Sequence, residues 1–175
     1  MRVILKEAEL EFDDKMCNVT TFHETRPEEI YKLSYNIQLY VELKTFFVKV
    51  GISLPNSNGN LISIQNTVSD VCKYFMNNNN NLLLKIFFNG NFGKKNFPTT
   101  CPVKSGMYSI EDFRINDNLL KIRSGEAKFL VAVDFCTKIS ENAKLHCFIQ
   151  MKFYGEVKDQ MKWQQEVEKM RKNKQ

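Results

Sequence analysis

A chain of 175 residues, 43% hydrophobic, with 14 phenylalanines against one tryptophan, is as long as one domain and carries enough apolar surface to bury a core, which excludes wholesale disorder. The net charge of +5 is uneven: six basic residues face three acids in 158–175, so +3 lies in that tail and +2 elsewhere, and no basic footprint for nucleic acid is left. No apolar run approaches the roughly 20 residues of a membrane-spanning helix, and Met1 to Leu5 is too short for the apolar region of a secretory signal, so a secreted form is one whose leader has been removed.

In Val3 to Phe12, Ala8, Leu10 and Phe12 alternate with Glu7, Glu9 and Glu11. This two-residue period predicts a first strand with an acidic outer face. Just beyond it, Asn18-Val19-Thr20 is a glycosylation sequon at Asn18. The plainest strand runs from Leu33 to Leu43, with Leu33, Tyr35, Ile37, Leu39, Val41 and Leu43 on one face. The apolar parity then moves to Phe46, Val48, Val50, Ile52 and Leu54. Either a hairpin at Lys44-Thr45 or a bulge in one long strand produces that change, and Lys-Thr is poor two-residue turn chemistry.

Pro55 to Asn60 is a turn by composition, and Leu61 to Asn66 is a further short strand. Ser69 or Asp70 is placed to cap a helix over Val71 to Met76, which the five asparagines Asn77 to Asn81 interrupt as a solvated loop. Leu82 to Phe92 has Leu83, Ile86 and Phe87 at helical spacing and predicts a second helix ended by Gly90 or Gly93. This excursion and its flanks hold Phe75, Phe87, Phe88, Phe92 and Phe97, more rings than one face of a short helix buries. They are expected to pack on a sheet edge or to line the mouth of an apolar cavity. A Cys72–Cys101 bridge would staple the excursion to the strands.

Strand texture resumes over Met107 to Ile115, then at Phe129, Val131, Val133 and Phe135, and again at Leu145, Cys147, Ile149, Met151 and Phe153, the last two runs forming a hairpin across 137–144. Regularly spaced strands with one helical excursion predict a mainly β fold, an antiparallel sandwich. Asp159 to Lys172 places Trp163, Val167 and Met170 at i, i+4 and i+7, a short amphipathic helix appended to it. The division is thus a sandwich over 1–157 and a charged helical tail over 158–175.

The chain carries little that resembles catalytic apparatus. His23 and His146 are the only side chains suited to act as a base near neutral pH, and no nucleophile elbow or phosphate-cradling loop accompanies them. Cys147 and His146 are neighbours and project to opposite sides of a strand. The five cysteines form no CxxC or Cys/His knuckle. No enzyme activity, cofactor or metal is expected. Wide cysteine spacing suits structural disulfides in an oxidising compartment, with one thiol left over.

The order Asp70-x-Cys72-x-x-Phe75, a Phe-rich helix, Cys101-Pro102-Val103, then Tyr108-x-Ile110 and alternating strands resembles a large insect family of small secreted proteins that includes the CheB-type chemosensory proteins. That family is itself similar to the ML lipid-recognition domains and the ganglioside activators. The resemblance covers roughly Leu5 to Val157 and implies an immunoglobulin-like sandwich, or β-cup, with an apolar ligand between splayed sheets. It also implies a Cys17–Cys147 bridge, which leaves Cys136 free. The rival Cys136–Cys147 pairing falls on opposite parities unless a bulge restores it.

On this resemblance the function is to carry or present a hydrophobic small molecule or lipid, such as a fatty-acyl or hydrocarbon signal, outside the cell. A membrane receptor is a possible partner, nucleic acid is not, and the chain is expected to be a monomer. The cavity wall is then Ile37, Leu39, Val41, Val48, Val50, Val131, Val133, Ile149 and Met151, closed by Ile86, Phe87 and Phe113. A cavity of about 300 Å³ or more favours this carrier. A filled interior favours an interaction module that docks on another protein.

Overall fold

The computed structural model describes the chain apart from residues 28, 78–80, 90–93, 116–119, 121–124 and 175. Among the described residues, nine strands form two antiparallel sheets: β1 (Arg2–Phe12), β2 (Cys17–Arg26), β3 (Glu29–Leu39), β4 (Phe47–Pro55), β5 (Leu61–Asp70), β6 (Lys94–Asn96), β7 (Gly106–Glu111), β8 (Ala127–Lys138) and β9 (Leu145–Lys158). The five-stranded sheet runs β1-β9-β8-β4-β5 and the four-stranded sheet β2-β3-β7-β6. Helices α1 (Val71–Asn77) and α2 (Leu82–Asn89) stand between β5 and β6, and α3 (Gln160–Asn173) follows β9. The expected mainly β sandwich with a helical excursion and a C-terminal helix is the architecture present.

Period-two alternation supplies the inner face. Across the larger sheet, Val48, Phe135 and Ile149 form one cross-strand row, Val50, Val133 and Met151 the next, and Ile52, Val131 and Phe153 a third. All nine are buried. From the other sheet, Leu33, Tyr35, Ile37 and Leu39 of β3 and Ile110 of β7 face them within one apolar cluster. Gly155 lies opposite Leu5 where the β1–β9 register shifts. A Cβ there would collide with the Ile4 carbonyl oxygen and the Phe129 ring, so only glycine lets that ring cross the strand.

The passage from β3 to β4 is neither a hairpin nor a bulge. β3 ends at Leu39 in one sheet and β4 begins at Phe47 in the other, so 40–46 crosses between sheets. Period two persists past the end of β3 because the crossing also turns apolar side chains inward: Leu43 and Phe46 are both buried. Leu43 exchanges two backbone hydrogen bonds with Val103, each 2.8 Å. β2 is an edge strand that alternation does not reveal, since Thr21, Phe22, His23 and Glu24 are all exposed and only Cys17 and Val19 point into the core.

Two corrections concern the cysteines. Cys72 is bonded to Cys101 as expected, but Cys147 is bonded to Cys136 and not to Cys17. The register shifts between Phe135 and Cys136, since Phe135 faces Ile149 while Cys136 faces Cys147. Phe148 is thus the extra residue of a bulge, and it brings the two cysteines opposite each other. Cys17 is a free, buried thiol beside the carbonyls of Asp13 and Phe148 at 3.6 and 3.7 Å. Burial pushes it up to about 11, helped by the charge of Asp13, so it stays protonated and unreactive.

The tail is docked. Asp159 caps α3 by accepting the Met161 and Lys162 backbone N–H groups at 3.0 and 3.1 Å. Lys158 donates to Glu166 at 2.8 Å. Trp163 is fully buried with the ammonium groups of Lys6 and Lys158 over its ring at 5.2 and 5.3 Å, a cation–π arrangement on both counts.

The backbone donors hold Asp159 below its ordinary value, and the Lys158 hydrogen bond does the same for Glu166. A carboxyl lowered in the folded state stabilises above its unfolded pKa, and that contribution is lost as pH falls through the folded value. Acidification below the ordinary 3.8 and 4.5 is therefore expected to release α3. The emission of Trp163, the single tryptophan, should shift to the red in that range. A shift that begins near neutrality, or none at pH 2 while the sheets persist, would contradict this.

Candidate functional site

The features that converge in the fold lie at the end of the sandwich where the helical excursion meets both sheets. Asp70, the last residue of β5, caps α1 by accepting the Lys73 backbone N–H at 3.0 Å. Asn81 caps α2 by accepting the Leu84 N–H at 3.1 Å, and its side-chain amide donates to the buried Ser69 hydroxyl at 3.0 Å. The last asparagine of the run is thus a cap and an anchor rather than part of a solvated loop. The Cys72–Cys101 bridge, 29 residues apart in sequence, ties α1 to the segment that pairs with Leu43.

Held this way, the excursion presents a continuous set of rings. Tyr74 stacks on Phe88 with centroids 5.7 Å apart, Phe75 meets Phe88 edge-on at 5.3 Å, and Phe87 meets Phe88 at 5.2 Å. Phe87 contacts Phe97 at 6.1 Å, and Phe97 contacts Phe135 of β8 at 5.6 Å. These offset and edge-to-face contacts carry the aromatic cluster from the surface into the core.

Beneath Phe97 and Pro98 lies an apolar void of about 20 Å³, lined among others by Ile37, Leu39, Leu43, Phe46, Val103, Tyr108, Phe135, Phe148 and Ile149. The Tyr108 hydroxyl donates to the Lys104 carbonyl at 2.6 Å, which keeps its polar tip out of the void. That volume is about one water molecule. Among the described residues, the aromatic rings and the buried cross-strand rows fill this end of the interior, and a larger space of about 270 Å³ lies instead between β1 and β3, lined by Val3, Leu5, Ile30, Phe113 and Ile115 with the polar Arg2, Glu29 and Arg114.

Of the expected cavity wall, Ile37, Leu39 and Ile149 line the void. Val48, Val50, Val131, Val133 and Met151 are buried in the packed rows beyond it. Phe87 belongs to the ring cluster, while Phe113 stacks on Phe153 at 4.7 Å, against the rows. Val41 sits half-buried in the crossing between sheets. The Ile86 side chain, Phe92, Gly90 and Gly93 lie outside the described residues. Sequence reasoning missed Leu43, Val103 and Pro98 at the void, since the pairing that seats them joins segments 60 residues apart in sequence. Asn18 is exposed on β2, open to a glycan.

The histidines are placed as polar fasteners or surface groups. His146 Nε2 lies 2.8 Å from Asp13 Oδ2. That hydrogen bond, then the Lys15 backbone N–H, holds the Asp13 carboxyl below its ordinary value. The pair clips the β1–β2 turn to the start of β9. Cys147 beside it is spent in a disulfide, and His23, opposite Leu33 on the inward parity of β2, lies where the strand is exposed. Among the described residues, no three His, Cys, Asp or Glu side chains are grouped to hold a metal, and no helix is long and apolar enough to cross a membrane.

The fold and site together define an antiparallel β-sandwich with a small apolar void beside a disulfide-stapled aromatic cluster. Residues 46–131, just under half of the chain, match a family described as a protein of unknown function (DUF1091). The matched stretch runs from Phe46 into β8 and so contains the staple, the aromatic excursion and five of the eleven residues that line the void, Phe46, Phe97, Pro98, Val103 and Tyr108. No curated protein matches the chain.

Proposed function

We propose that this protein is a non-enzymatic binder of an apolar ligand, taken up at the lidded end of the sandwich. The observation that carries the reading is the lid itself. Rings on α1 and α2, held by a disulfide and two side-chain caps, pack through Phe87 and Phe88 onto Phe97, which itself lines an apolar void walled by both sheets. A hydrocarbon chain that displaces Phe97 and Phe87 gains about 0.8 kcal/mol per buried CH₂, so a chain of ten or so methylenes offsets the exposure of two rings. Binding is then coupled to displacement of these rings, since a space of about 20 Å³ holds no such chain.

Two disulfides fit an oxidising compartment, and with the CheB-type and lipid-recognition resemblance they support a secreted protein. A lipid, fatty-acyl or hydrocarbon signal in a chemosensory or pheromone setting in an insect is the ligand class that this resemblance favours. A membrane receptor is the corresponding partner for presentation.

The native mass of the purified protein tests the reading. It should include an apolar adduct that organic extraction removes, and the extracted protein should then bind a naphthylamine dye at micromolar concentration. Phe87→Ala with Phe97→Ala, which trims the lid, should raise dye uptake severalfold. No adduct, and no dye bound by either form, would sink the carrier reading. It would leave the second one, a filled sandwich that docks on another protein, which the small void favours.

A further inference from the structure

Among the described residues, one buried side-chain polar atom is left unused by the fold. Tyr35 is 1% exposed, and among the described residues its Oη is a buried side-chain oxygen without a hydrogen-bond partner. The other buried polar side chains are provided for: Ser69 takes the Asn81 amide, and Thr137 donates to the Thr45 carbonyl at 2.7 Å. Buried hydroxyls are nearly always paired, and one left alone bears its full desolvation cost.

Its place in the fold relates it to the void. Tyr35 lies on β3, opposite Ile110 of β7, and is the next inward-facing residue before Ile37 and Leu39, which line the void. The lining there is made of apolar side chains, and a lone water needs two to four polar partners. Burial also raises the phenol well above its ordinary value, so the group remains a donor at any physiological pH. The interior offers no buried cation among the described residues, where the buried polar side chains are Ser69 and Thr137, so a carboxylate drawn in would be uncompensated. A carbonyl accepts one hydrogen bond and brings no donor of its own that needs a partner.

We propose that Tyr35 is the polar anchor of the binding site, its Oη donating a hydrogen bond to the carbonyl oxygen of a neutral ester, ketone or aldehyde whose hydrocarbon chain runs under the lid. This deepens the carrier reading and rests on it. The ligand is thus an oxygenated apolar molecule rather than a plain alkane or a free fatty-acid anion.

The test is competition of methyl myristate, n-hexadecane and sodium myristate for the bound naphthylamine dye, in the parent and in Tyr35→Phe. One net hydrogen bond predicts that the parent binds the ester roughly three- to tenfold tighter than the alkane. Tyr35→Phe should lose that preference, bind the alkane unchanged, and melt no lower than the parent because it sheds an unpaired hydroxyl. Equal binding of ester and alkane by the parent, a preference that survives in Tyr35→Phe, or myristate bound as tightly as the ester would each overturn the anchor while the carrier reading stands. Failure of the dye and all three competitors to bind would instead remove the carrier reading, and the anchor with it. Should Tyr35→Phe not fold, the infrared carbonyl band of carbonyl-labelled ester on the parent decides: a shift to lower frequency is expected, and a band at its alkane-solution position overturns the anchor.

Discussion

Serine at both Cys72 and Cys101 is expected to lower the stability of the sandwich by about 3.5 kcal/mol through the entropy restored to the unfolded chain, and the melting midpoint by roughly 10 °C. The bridge closes a span of 29 residues, against 11 for Cys136–Cys147, and the same relation gives about 2.8 kcal/mol for the shorter one. The longer bridge also does more in the folded state. It holds α1 and its rings against the segment that pairs with Leu43, whereas the shorter one joins strands that are already neighbours in a ladder. Loss of the first should therefore raise dye uptake at the lid as well as lower the midpoint, and loss of the second should affect the midpoint alone. Cys17 does not confuse the experiment, since its buried thiol is raised to about 11 and exchanges poorly. Equal urea midpoints for the double variant and the parent, both unreduced, would refute the staple.

Trp163→Ala is expected to undock α3 without unfolding the sheets. Removing a fully buried tryptophan costs about 3–5 kcal/mol, and Trp163 is the buried residue of this helix. A 14-residue helix rich in charge is marginal on its own, so the loss falls on the docking equilibrium and not on the core. Tryptic cleavage at Lys162, Lys169, Arg171 and Lys172 tracks the undocked population. It should accelerate by roughly a hundredfold or more, while the far-ultraviolet signal of the sheets persists. An unchanged cleavage rate would mean that the helix is held by its salt bridges instead of by the indole.

The legible part of the fold was local. Alternation in β1, β3, β4, β8 and β9 marked their inward faces because each strand is half-buried, and a two-residue period survives without knowledge of the partner. Asp70 was readable as a cap because a capping side chain acts within three residues of its own position. β2 was not legible: at a sheet edge both of its faces meet water along most of its length, so no period forms. The crossing at 40–46 was misread for the opposite reason. Leu43 and Phe46 are buried in a loop, and apolar spacing alone does not distinguish a loop that turns inward from a strand.

At the site, sequence alone determined the chemistry: an apolar interior, an aromatic excursion, and a cysteine at each end of that excursion. It did not determine which cysteine closes the last hairpin. That depends on Phe148 occupying a bulge, which inverts the parity on which Cys136 and Cys147 were set apart. Nor did it determine how full the interior is. Side chains of known polarity leave a large cavity or about 20 Å³ according to how far apart two sheets sit, a distance set by rings such as Phe97 and Phe135 that meet only after the chain has folded back. The unpaired Tyr35 hydroxyl is of the same kind. Its inward direction follows from the strand period, but its lack of a partner exists only once both sheets have closed over it.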